Sequence, residues 1–95
     1  MLTIEQIINA VHNVADNFPI SRIMLFGSYA EGRNTPESDV DLLVEFKTSA
    51  VSLFTIADIK NRLEEILGAD VDVIHAPLPK NSLINPEKVV EIYAA

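Results

Sequence analysis

The sequence predicts a small α/β domain in which helices pack on a mixed sheet, and three features carry that expectation. Short apolar runs that suit strands (residues 20–26, 39–46 and 71–75) alternate with stretches whose apolar residues recur at helical spacing. Breakers and stop signals, among them Pro19, Gly32 and Gly68, fall between these segments. The stretch separating the second and third runs is long enough for a helical crossover, so those two strands can be parallel neighbours. With 95 residues the chain is one domain, 1–95, and it contains no internal repeat, low-complexity segment or linker.

Taken in order, residues 3–18 form the first predicted helix. Thr3 and Gln6 have capping-box spacing, and Ile4, Ile7, Ile8, Val11, Val14, Ala15 and Phe18 make one apolar face. Pro19 ends it. Residues 20–26 follow as a strand whose stretch Arg22-Ile23-Met24-Leu25-Phe26 reads as buried on both sides near its end. Ser28 to Glu31 suits a single helical turn closed by Gly32, and a polar loop containing Pro36 leads to the second strand, Asp39 to Phe46. Ser52 is placed to cap a helix running to Leu67, with Leu53, Phe54, Ile56, Ile59, Leu63, Ile66 and Leu67 turned to the core and Gly68 as its stop. The third strand is Val71 to His75. Beyond Pro77 and Pro79, Asn85-Pro86 is read as the start of a last short helix through Tyr93. Pattern alone leaves open whether the first two strands are antiparallel.

Composition narrows the function classes. Fourteen acidic against seven basic residues give a net charge of −7, and the basic residues are scattered, so no stripe exists to neutralise a nucleic acid backbone. A basic protein partner suits this surface better, although solubility alone can account for the acidity. No apolar run is long enough to span a membrane, and the first residues lack the layout of a signal peptide. Zero cysteines exclude disulfides and thiolate metal sites. The expectation is a cytoplasmic protein. Apolar residues make up 48% of the chain, which leaves room for a surface covered by a partner.

The chemistry is concentrated between Gly27 and Phe46. Gly27 ends the first strand and has no Cβ, so a phosphate can approach its backbone closely, and Ser28 adds a hydroxyl where a helical turn begins. Asp39 and Asp41, two apart on a strand, project to one face with Cα atoms ~6.6 Å apart. Paired carboxylates of this kind suit Mg²⁺, a hard cation that takes one or two carboxylates together with substrate phosphates, and two such ions lie ~3.5–4 Å apart in two-metal sites. An Asp-x-Asp alone is equally a solvated strand entry. The sharper residue is Asp72, a lone carboxylate in the apolar run Val71-Asp72-Val73-Ile74, where a charge is costly unless paired or bound to a cation. Asp70 reads as a turn residue. If the third strand lies beside the second, Asp72 reaches the pair as a ligand or general base. Tyr29 either stacks on a base or caps the cleft. His12 is a boundary residue, Tyr93 a packing residue, and His75, a lone imidazole near the site, does not make a zinc centre.

Together, Gly-Ser-x-Ala-x-Gly, then Ser-Asp-x-Asp-Leu-Leu-Val, then an aspartate in a third strand resemble the nucleotidyltransferase superfamily built on the DNA polymerase β palm. In length and wording the chain is similar to the minimal nucleotidyltransferases, the antitoxin partners of HEPN-domain toxins, and the resemblance covers residues 4–74. It implies transfer of AMP from ATP with two Mg²⁺ ions and release of pyrophosphate. Gly27 and Ser28 match the family's triphosphate-binding turn, Asp39 and Asp41 its metal-binding pair, and Asp72 its third carboxylate. Many relatives carry Arg where this chain has Glu31, and Arg33, two residues on, is the candidate to supply that positive charge to the nucleotide.

Three functions remain in competition. The first is AMP transfer to a protein hydroxyl, a tyrosine of a cognate HEPN toxin, because so short a chain has no second domain to hold a small acceptor. The second is a binding antitoxin that masks the toxin without catalysis. The third is a small-molecule nucleotidyltransferase that needs a partner subunit to complete its acceptor pocket.

Overall fold

A computed structural model of the chain describes residues 2–48, 50–76 and 89–95. Helix α1, Ile4–Ala15, begins where predicted: Thr3 Oγ1 accepts from the Gln6 amide while the Gln6 side chain accepts from the Thr3 amide. Such a cap contributes about 1 kcal/mol. The helix stops three residues before Phe18, and a turn carries the chain through Pro19 into strand β1, Ile20–Phe26. A four-residue helix, α2 (Ser28–Glu31), is closed by Gly32 in the left-handed region. Strand β2, Val40–Phe46, leads to α3, Leu53–Leu67, which is capped by the Ser52 hydroxyl and stopped by left-handed Gly68. Strands β3 (Val71–His75) and β4 (Val90–Ala94) complete the order.

The sheet order is β3-β2-β1-β4. Strand β1 is antiparallel to both β2 and β4, whereas β2 and β3 run parallel as the crossover length allowed. Alternation along the strands sorts the side chains. Ile23 and Leu25 of β1, Val40, Leu42 and Val44 of β2 and Val71 of β3 are buried with Ile7, Val11 and Val14 of α1 and Ile59 and Leu63 of α3. Each large aliphatic side chain so removed from water contributes about 1.5–3 kcal/mol. The opposite face carries Asp41 and Glu45, and there Arg22 pairs with Glu45 at 2.9 Å and with Glu91 at 3.6 Å. Strand β1 is therefore buried chiefly on its helix-facing side, since Arg22 is exposed and Met24 and Phe26 are half-buried, rather than on both sides as the apolar run suggested.

Two further expectations are corrected. The last predicted helix is, over residues 90–94, a strand that occupies the free edge of β1. Its β-branched and aromatic residues Val90, Ile92 and Tyr93 fit a pleated surface better than a helix, and an open sheet edge offers their backbone partners. The earlier part of that predicted helix, from Asn85-Pro86, and the breakers Pro77 and Pro79 lie outside the described residues. On α3, Leu53 and Phe54 are 83% and 88% exposed and Ile66 is also exposed, so the core-facing stripe is narrower than predicted and centres on Ile59 and Leu63.

Candidate active site

The antiparallel register of β1 and β2 sets Phe26 opposite Asp41, so the turn that follows Phe26 meets the start of β2. Gly27 there has φ 75° and ψ −152°. A side chain is excluded twice over: the backbone conformation strains any residue with a Cβ, and a Cβ built on Gly27 collides with Asp41 Oδ2. The glycine is thus what lets the Gly-Ser turn and the carboxylate share one place, a second role beyond the open backbone expected from sequence. Ser28 then opens α2, whose first amides have no partner within the helix. Behind it the Arg33 amide donates to the Ser28 carbonyl at 2.9 Å, which closes the turn.

The loop before β2 is a tight polar turn. The Ser38 amide donates to the Thr35 carbonyl at 3.0 Å and the Thr35 amide to Ser38 Oγ at 2.8 Å, and Asp39 emerges exposed one residue ahead of the strand. Asp41 is two residues on and half-buried. The parallel register of β2 and β3 places Asp72 directly beside Asp41. Burial, then the neighbouring charges of Asp72 and Asp39, then the hydrogen bond with Asp72 push the Asp41 carboxyl up from 3.8 to about 6.

The structure therefore gathers Gly27, Asp39, Asp41 and Asp72 at one end of the β1–β2–β3 sheet, with Ser28 on the adjoining turn. Asp72 is there for a different reason than its apolar strand suggested. Among the described residues strand β3 is the sheet edge, and Asp72 is exposed rather than buried. Arg33, the residue expected to face the nucleotide, lies on the surface with its guanidinium 3.1 Å from Glu31, an exposed pair. Tyr29 is neither a stacking platform nor a cleft cap: at 3% exposure it belongs to the hydrophobic core. His75 stands opposite Val44 with its ring edge-on to Phe46, away from Asp41. His12 and Tyr93 pack against each other as boundary residues.

Among the described residues, no three carboxylate or imidazole groups close into a preformed metal cage. The donor set is nonetheless what a hard divalent cation takes: carboxylate oxygens only, crowded enough to raise the proton affinity of Asp41, beside a cradle that a Cβ would fill. Depressions of about 260 and 310 Å³ run along α1 and the end of α3, the larger also touching Tyr29 and Pro36, and neither includes any of the three aspartates.

Comparison with known proteins gives a consistent answer. A nucleotidyltransferase domain model matches residues 7–94. The chain is 42% identical over 72 residues to MJ1379 of Methanocaldococcus jannaschii, inferred to be a protein adenylyltransferase, covering 75% of this chain and 68% of that one. It is 37% identical over 78 residues to the protein adenylyltransferase MntA of Thermococcus cleftensis, covering 78% of each. The fold matches, with a TM-score of 0.70 at 21% identity, a chain in the complex of the tri-AMPylated HEPN toxin of Shewanella oneidensis with its MNT antitoxin, covering 96% of this chain and 72% of that one.

Proposed function

The chain belongs to the nucleotidyltransferase domain family, among the minimal nucleotidyltransferases, and from that membership we propose that it moves AMP from ATP to a hydroxyl of a HEPN-domain toxin and so acts as the antitoxin. The observation that carries the proposal is the meeting of Asp41 with both Asp72 and Gly27, which joins a carboxylate cluster to a backbone turn able to receive phosphates.

In this reading Asp39 and Asp41, joined by Asp72, would hold two Mg²⁺ ions, whose chemistry would be to offset the carboxylate charge and draw electron density from the phosphate. The backbone of Gly27 and the Ser28 hydroxyl hold the terminal phosphates, and Asp72, exposed at the sheet edge, meets the incoming acceptor. The acceptor oxygen, a tyrosine hydroxyl, forms a bond to the α-phosphorus as the bond from that phosphorus to the bridging oxygen breaks. Its proton passes to Asp72, and pyrophosphate leaves. The open setting of the carboxylates suits a folded protein acceptor that brings its own surface.

A second reading, neutralisation by masking alone, is favoured by the exposed Leu53–Phe54 pair, which offers apolar surface to a partner without any chemistry. The double substitution Asp39→Asn, Asp41→Asn separates the two. Catalysis requires that the variant still bind the toxin and fail to protect cells from it, whereas undiminished protection establishes masking. A small-molecule acceptor predicts that the purified chain, given its partner subunit, labels a soluble hydroxyl compound rather than the partner.

A further inference from the structure

We infer that Glu64, on α3, is a positioning residue for the carboxylate cluster: by accepting the outward amide of Val71 it fixes where the edge strand β3 begins, and with it where Asp72 stands beside Asp41. This inference rests on the reading of the three aspartates as a cation site.

Among the described residues, strand β3 has a neighbour on one side only. On that inner side its entry is fixed by the Val40 amide, which donates to the Asp70 carbonyl at 2.9 Å. Backbone groups alternate in direction along a strand, so the next amide, that of Val71, turns to the outer side, where the sheet offers it no acceptor. Glu64 Oε2 accepts it at 3.0 Å. The same oxygen receives Lys60 Nζ at 2.7 Å, one helical turn away, so the acceptor is itself held in place. Val71 is thus gripped from α3 while Asp70 is gripped from β2, and Asp72 is the next residue along.

Electrostatics agree with this arrangement. The hydrogen bond from Lys60, then that from the Val71 amide, hold the Glu64 carboxyl below its ordinary range, so it remains an acceptor at neutral pH. The ammonium of Lys60 lies in the field of Asp72 and Asp70 as well as of Glu64. A helix-surface Lys–Glu pair four residues apart contributes little to a helix, and such a pair has no need of a strand amide. The bond to Val71 is what makes Glu64 more than a surface partner. Residues that orient a ligand carboxylate from outside typically change cation affinity 10–100-fold when removed.

The test is Mn²⁺ binding to the full chain without nucleotide, followed by water-proton relaxation, for wild type, Glu64→Gln, Glu64→Ala and Asp41→Asn, with thermal unfolding recorded in parallel. We expect Glu64→Ala to weaken Mn²⁺ about tenfold and Glu64→Gln, whose amide oxygen still accepts from Val71, to stay within about twofold. The proposal is overturned if Glu64→Ala binds like wild type, or if Glu64→Gln is as weak as Glu64→Ala, which would assign the effect to charge rather than position. If Asp41→Asn loses Mn²⁺ while Glu64→Ala does not, positioning fails and the cation site stands. If Asp41→Asn binds like wild type, both fail. Should Glu64→Ala not fold, Glu64→Asp replaces it, since it keeps the charge and falls one methylene short of Val71.

Discussion

At the residue scale the candidate site depends on one glycine that lies against one aspartate, Gly27 against Asp41. Gly27→Ala forces a Cβ into Asp41 at a positive φ, so we expect nucleotidyl transfer to fall at least ~10-fold, as small misplacements at a reacting centre do, together with a lowered melting temperature. Gly32 also has positive φ but faces open space, and Gly32→Ala should cost about 1–2 kcal/mol through backbone strain alone. Asp41 gives a pH signature. Its carboxyl is raised to about 6 in the folded chain against 3.8 when unperturbed, so the folded state holds the proton more tightly. Stability therefore falls as pH rises through that window. Without divalent cations, Asp41→Asn should melt above wild type at pH 8, and the difference should shrink as pH falls through about 6 and vanish below 3.8, as calorimetry across pH will show. That Gly27, Asp41 and Asp72 come together was legible in sequence from the combination of a glycine turn, paired aspartates and a third strand aspartate, none of which is informative alone. The grip of Glu64 on Val71 was not, because a Lys–Glu pair at helical spacing reads the same whether it touches only water or a strand amide.

Element by element, the sequence and the structure part where tertiary context outweighs local pattern. The capping signals Thr3–Gln6, Ser52, Gly32 and Gly68 act locally, and each ends or begins a helix where its chemistry requires. The strand over residues 90–94 exists because β1 has a free edge, a fact that no local window contains. On α3, periodicity marks an apolar stripe but not how far the sheet extends beneath it. Ile59→Ala should accordingly cost about 2–5 kcal/mol, while Phe54→Ser, at a ring 88% exposed, should stay within about 0.5 kcal/mol. Urea unfolding of the two variants checks this contrast, and a large loss for Phe54→Ser would place that ring in the core after all.

For the whole molecule, the sheet brings three segments distant in sequence to one end: the turn after β1, the start of β2 and the start of β3. The parallel crossover through α3 is what returns the chain so that Asp72 falls beside Asp41, and the helices α1 and α3 cover the other face. The carboxylate end is left exposed to an acceptor, and a net charge of −7 favours one with basic surface. The central claim is that this end transfers AMP to a protein partner. It is tested most directly by incubating the chain with ATP, Mg²⁺ and its cognate HEPN toxin and measuring the intact mass of the toxin. The account predicts a gain of one or more AMP units, abolished by Asp39→Asn with Asp41→Asn. An unchanged toxin mass, with the complex formed and ATP bound, would contradict it.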